Sequence, residues 1–167
     1  DPTDQGAQPM RDSKTGVVII YNGEIYNFRE LKAGFKDHKF YNRTDTEVIL
    51  HLYLEYGTKF VDKLEGMFAF AIWDPRDRTL HLSRDRFGIK PLYFAFDGDR
   101  FIFGSEIKCL LGRGATRSLN LEAVYKYLRF GNLAHNNQTF FAGIRSLEPG
   151  SISTFSNGKL RKTKYWD

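Results

Sequence analysis

The run Met67-Phe68-Ala69-Phe70-Ala71-Ile72-Trp73 constrains this chain most. A strand with no polar face needs cover on both sides. Such a strand belongs in the middle of a sheet that is itself packed against other layers. Asp74-Pro75-Arg76-Asp77 follows as a turn, and Thr79 to Arg84 returns as a second strand.

Other segments fill in the layers. Val17 to Tyr21 reads as a buried strand that stops at Asn22-Gly23-Glu24. Leu92 to Phe96 and Arg100 to Phe103 flank Asp97-Gly98-Asp99, and Ser151 to Phe155 and Leu160 to Tyr165 flank Asn157-Gly158; both are hairpin patterns. Asn27 with Glu30 forms a capping-box pattern for a short helix whose inner face is Phe28, Leu31 and Phe35. Thr44 with Glu47 repeats it for a helix that runs to about Tyr56 and stops at Gly57. Further helices are expected at Glu106 to Leu111 and at Leu121 to Phe130, the latter between Asn120 and Gly131. Strands, then helices, then strands predict an α+β fold with helices packed on antiparallel sheets. Asp1 to Ser13 is polar and proline-containing and reads as the middle of a connection.

The chain has 167 residues, 41% of them hydrophobic, which suits one globular domain with a real core. No apolar stretch reaches membrane-spanning length and no signal-peptide pattern opens the chain, so no membrane partner is expected. The single cysteine, Cys109, allows no intrachain disulfide and fits a reducing, cytoplasmic setting. The net charge of +5 raises a nucleic-acid partner. However, the cations are interleaved with acids, as in Arg76-Asp77-Arg78 and Arg84-Asp85-Arg86. Only Lys159 to Lys164 is a basic run, with the alternation of a solvated strand face, so no nucleic acid is expected.

Asn22-Gly23-Glu24 carries the most chemistry. A side-chain amide beside an unencumbered backbone N–H is the layout of an oxyanion hole; the same string also suits an Asn-Gly turn. Asp45 lies in the first turn of its helix, where a carboxylate either complements the helix dipole or is presented to an ammonium group. Cys109 sits on a short amphipathic helix and reads as a small buried hydrophobe, with a nucleophile as the alternative. His38, His51, His81 and His135 lack metal-ligand spacing, so no metal is expected. Arg84 to Pro91 packs its charges into a tight loop between strands, a structural brace with a domain contact as the alternative.

These strings together resemble the glutamine amidotransferase domain of asparagine synthetases, the class II type with an N-terminal nucleophile. The matching stretches are Gln8-Pro9-Met10, Tyr21 to Asn27, Thr44 to Leu50, Leu64 to Phe70, Ser83 to Tyr93 and Gly104 to Lys108, in order along nearly the whole chain. The resemblance implies an αββα sandwich, two antiparallel sheets between helix layers. It implies hydrolysis of glutamine to glutamate, with ammonia passed to an ATP-using synthetase domain that makes asparagine. It assigns the oxyanion donors to the Asn22 side chain and the Gly23 N–H. It places Glu24 and Asp45 on the substrate, with Asp45 facing its α-amino group. No cofactor is implied in this domain.

The family's nucleophile is a cysteine at the very N-terminus, whose α-amine acts as base. Here the first residue is Asp1, and the segment carrying that cysteine and a carboxylate-gripping arginine would precede Gln8-Pro9-Met10. The expectation is a partial amidotransferase domain over residues 1–167, with an incomplete sandwich and no synthetase domain. Such a chain is inactive alone and holds glutamine weakly or not at all. The alternative is a non-catalytic amino-acid-binding or protein-interaction module that reuses the fold. Loss of neighbouring strands would leave Val17 to Tyr21 as an apolar edge, which predicts a homodimer or larger assembly.

Overall fold

The computed structural model describes residues 6–35, 38–131 and 137–167. Its strands are β1 (Met10–Arg11), β2 (Val18–Ile25), β3 (Gly66–Asp74), β4 (Thr79–Arg84), β5 (Tyr93–Asp97), β6 (Arg100–Gly104), β7 (Ile144–Ser146), β8 (Ser151–Ser156) and β9 (Lys159–Lys164). Its helices are α1 (Phe28–Ala33), α2 (Asp45–Tyr56), α3 (Ile107–Leu111) and α4 (Leu121–Phe130). Contacts divide the chain into two compact units, Asp1–Lys90 with Pro149–Asp167, and Pro91–Glu148. The sequence, with no linker composition at either junction, reads as one domain and does not signal this division.

The first unit is a six-stranded sheet in the order β1-β2-β3-β4-β8-β9, with every pairing antiparallel. The apolar run forms β3 and lies well inside the sheet. Phe68, Ala69, Phe70, Ala71 and Ile72 are all buried, so both faces are covered along the middle of the run, while Trp73 near its end is exposed. Phe68, Phe70 and Ile72 share one face with Ile19 and Ile25 of β2 and with Val48, Ile49 and Leu52 of α2 in one core cluster. A short 3₁₀ helix, Gly57–Lys63, adds Phe60, which stacks on Phe70 with ring centroids 5.5 Å apart.

Helix α2 follows its local signals. Thr44 Oγ1 accepts the Glu47 N–H at 3.2 Å, and the helix ends at Gly57 with φ of 56°. The Glu47 carboxylate does not complete a capping box. It accepts the Tyr41 and Asn42 N–H groups at 2.7 and 2.8 Å, and so folds the preceding segment onto the helix. Asn27 differs more. It makes no cap bond to α1. Its side chain donates to Lys63 O at 2.9 Å and accepts from Glu65 N at 3.1 Å, tying the start of α1 to the entry of β3.

Further expectations about this side of the sheet are corrected. Strand β2 does not stop at Tyr21 but continues through Asn22-Gly23-Glu24 to Ile25, paired with β3 all the way. It is also not buried on both faces, since Ile20 is 42% exposed. Its outer edge is not bare either. β1 pairs with Val18 and Ile19, and beyond it Gln8 takes the place of a strand. Gln8 Oε1 accepts Tyr21 N–H at 2.6 Å and Gln8 Nε2 donates to Tyr21 O at 2.8 Å. The stretch expected to be a polar connection therefore contributes a strand and a core residue, Met10.

Buried Asp74 closes the end of β3. It accepts Tyr53 Oη at 2.8 Å and the Arg76 guanidinium through both carboxylate oxygens. The Arg76 side chain, with burial opposing and Tyr53 adding, holds the Asp74 carboxyl down at about 2. A depressed carboxyl stabilises the fold above its unfolded value and loses that contribution as pH falls through the folded one. We expect about 2 kcal/mol of stability to disappear between about pH 4 and pH 2. Urea unfolding across that range should show it in the wild type and show it much reduced in Asp74→Asn.

The second unit holds a three-stranded antiparallel sheet in the order β6-β5-β7, with α3 and α4. Ala95, Leu110, Ala115 and Ile144 form its core. Helix α4 runs between the expected caps: Asn120 Oδ1 accepts the Ala123 N–H at 3.2 Å and Gly131 is left-handed. Cys109, expected inside, is exposed. Ile107, Leu110 and Leu111 form the inner stripe of α3, and Cys109 falls between them on the outer side. Two antiparallel sheets with accompanying helices give the α+β class read from the sequence. Among the described residues no helix is long and apolar enough to cross a membrane.

Candidate functional site

The site residues gather around one stretch of β2. In an antiparallel strand, successive residues turn their N–H and C=O groups to opposite edges. Tyr21 points its groups away from β3, because Gln8 takes them both. Ile25 points the same way, because its N–H donates to Asp45 Oδ2 at 3.0 Å. Gly23, midway between, therefore aims its N–H at the outer edge, between the Gln8 amide and the Asp45 carboxylate.

Gly23 is a glycine because β2 and β3 approach unusually closely here. A Cβ at Gly23 would lie 2.2 Å from Met67 O and 2.7 Å from Phe68 Cα, and one at Gly66 would lie 2.1 Å from Glu24 O. No side chain fits at either position. This requirement comes from the facing strand, and it replaces the turn as the reason for Asn22-Gly23.

Side chains alternate along the strand. Asn22 and Glu24 share the face of Ile20, and both are exposed. Neither side chain has a hydrogen-bond partner among the described residues. Tyr21 is half-buried, and Phe68, Phe70 and Ile72 lie in the same core cluster against which it packs.

Asp45 comes from the first turn of α2, where the positive end of the helix dipole favours its charge. Its Oδ2 accepts both Tyr21 Oη at 2.7 Å and Ile25 N–H at 3.0 Å. Among the described residues Oδ1 has no partner. Burial first, then the bond to Asp45, pushes the Tyr21 phenol well above its ordinary value, so it remains a proton donor at any working pH. The structure thus brings Asn22, Gly23, Glu24 and Asp45 to one end of β2. Sequence reading missed Tyr21 and Gln8, whose roles depend on partners 24 and 13 residues away.

The remaining candidates lie elsewhere. His51 and His81 are pushed down by burial, which favours their neutral forms. His38 and His51 pack edge to face at 5.4 Å beside Phe35 and Phe40. His81 lies between the Thr79 and Thr154 hydroxyls. His135 lies outside the described residues. Cys109 belongs to the other unit. No three His, Cys, Asp or Glu side chains among the described residues are grouped to hold a metal. Arg84 to Lys90 is built as a structural brace. Buried Asp85 accepts the N–H groups of Phe68, Phe87, Ile89 and Lys90, while Arg84 donates to Lys90 O and Gly88 O.

Asparagine synthetase [glutamine-hydrolyzing] 3 of Bacillus subtilis (strain 168) is 36% identical to this chain over 167 residues, 97% of the chain and 27% of that protein. Asparagine synthetase [glutamine-hydrolyzing] 2 of the same organism is 40% identical over 168 residues, 96% of the chain and 22% of that protein. The chain spans about a quarter of the length of these relatives. Among solved structures, the glutamine phosphoribosylpyrophosphate (PRPP) amidotransferase from B. subtilis, complexed with ADP and GMP, aligns with a TM-score of 0.70. It is 21% identical and covers 96% of this chain and 32% of that one, a likeness of fold. The glutamine amidotransferase domain family matches residues 1–166, through both units. On this match the chain belongs to the glutamine amidotransferase domain family.

Proposed function

We propose that this chain forms the substrate-holding and oxyanion-stabilising part of a glutaminase site. Its parent protein would release ammonia from the glutamine side chain and pass it to an ATP-using synthetase domain that makes asparagine. The observation that carries this reading is the Asp45 carboxylate, held through Oδ2 beside the Gly23 edge, with no partner on Oδ1 among the described residues. In this site Asp45 takes the α-ammonium of glutamine. The Asn22 amide and the Gly23 N–H donate to the oxygen that gains charge when the amide is attacked. Glu24, on the Asn22 face, contacts the substrate as a second carboxylate. We assign no nucleophile within these 167 residues. Glutamine enters without a cofactor, a homodimer is the simplest assembly, and the setting is cytoplasmic.

The test is an NMR titration of the chain with glutamine, alongside an ammonia assay. Weak binding that shifts the Gly23 and Ile25 amides is expected, with no ammonia released. Asp45→Asn should weaken binding by about one to two decades, the loss of one charge-assisted contact. Absence of any shift, or ammonia release abolished by Asn22→Ala but not by Cys109→Ser, would overturn the reading.

A further inference from the structure

We infer that Tyr21 is a positioning residue: its hydroxyl sets the Asp45 carboxylate for a ligand's α-ammonium group. The inference rests on the glutaminase reading and adds to it the device that orients the carboxylate. A carboxylate on a helix start is free to turn about two side-chain torsions. Here Oδ2 is held by two donors from β2, Tyr21 Oη at 2.7 Å and Ile25 N–H at 3.0 Å. That fixes the carboxylate plane and leaves Oδ1 as the acceptor for a third donor.

Tyr21 is itself anchored. The Gln8 side-chain amide grips its backbone N–H and C=O at 2.6 and 2.8 Å. A line of hydrogen bonds thus runs from Gln8 through Tyr21 to Asp45, past the Gly23 edge. The donor is a phenol and carries no charge, so Asp45 keeps its full negative charge for an ammonium ligand. A lysine or arginine in the same place would orient the carboxylate but neutralise it. No cation is paired with Asp45 among the described residues. Orientation without neutralisation is the property that an ammonium subsite needs.

The test compares L-glutamine with 4-carbamoylbutanoate, which lacks only the α-ammonium. Tyr21→Phe should weaken glutamine binding about five- to tenfold and leave 4-carbamoylbutanoate unchanged. Equal losses for both ligands would mean a merely structural role and would overturn the inference. In a double-mutant cycle, Tyr21→Phe should add little once Asp45→Asn is present, and additive losses would count against it. A ligand-free measurement decides the clamp separately. The Ile25 amide should exchange with solvent about fivefold or more faster in Tyr21→Phe, with Ile19 unchanged. Unchanged exchange at Ile25 overturns the inference. A wild-type chain that binds both ligands alike would instead sink the glutaminase reading, while Ile25 exchange still decides whether Tyr21 holds Asp45.

Discussion

Replacing Gly23 with alanine is expected to destabilise the first unit by about 3 kcal/mol or more, beyond the usual range for overpacking. The new methyl would sit 2.2 Å from Met67 O and 2.7 Å from Phe68 Cα. Both are backbone atoms of β3, the strand with both faces buried, and neither can swing aside as a flexible side chain would. The strands must part, and the edge on which Gly23 presents its N–H moves with them. A thermal melt should fall by roughly 6–12 °C for a chain of this size, and glutamine-induced shifts at Ile25 should vanish. A melt within 1–2 °C of wild type, about 0.5 kcal/mol, would show that β2 and β3 do not need this close approach.

Loss of the Asp85 carboxylate is expected to have a comparable effect. One oxygen accepts the Phe87 and Ile89 N–H groups and the other accepts those of Phe68 and Lys90. Asp85→Ala leaves these donors without their acceptor, and Asp85 itself is 1% exposed. At roughly 1–3 kcal/mol for each buried donor left unmet, with partial relief from water at the exposed loop, the cost is about 3–5 kcal/mol. Asp85→Asn is informative because its shape is conserved. It keeps one acceptor oxygen but points an N–H₂ at one pair of donors, so about half the loss should remain. Urea unfolding measures both variants. A loss under about 1 kcal/mol for Asp85→Ala would mean that the loop finds other acceptors.

What the sequence revealed divides by the range of the interaction. Thr44, Gly57, Asn120 and Gly131 mark helix ends through bonds to residues three or four away, and a local pattern suffices to read them. The Met67 to Trp73 strand was legible because its burial follows from composition alone. Asn27 was misread because its partners, Lys63 and Glu65, lie more than 35 residues on. Asn22-Gly23 looked like a strand end because nothing local shows that Met67 and Phe68 will face Gly23 across a narrow gap. Cys109 was placed inside because a five-residue helix gives too few turns to fix its inner stripe. Asp45 carried two readings, and the structure supplies the partners on β2 that a dipole alone would not need. The remaining surprises, Gln8 acting as a strand and the short strand β7, are one side chain and three residues long, too small to leave a periodic signal.

The two ends of the six-stranded sheet are guarded by different forces. At one end stands β9, which carries the exposed cations Lys159, Arg161, Lys162 and Lys164, the last paired with Asp167. A second copy approaching that edge in antiparallel register would bring like charges face to face. At the other end the guard is a two-residue strand with one exposed cation, Arg11, and a single glutamine amide. The sheet is therefore polarised as a template. At low ionic strength like-charge repulsion is stronger at β9, with its four cations, than at the Gln8 end, with one. Near 1 M salt, where the screening length shrinks to about 3 Å, the repulsion at β9 fades and the two ends become alike.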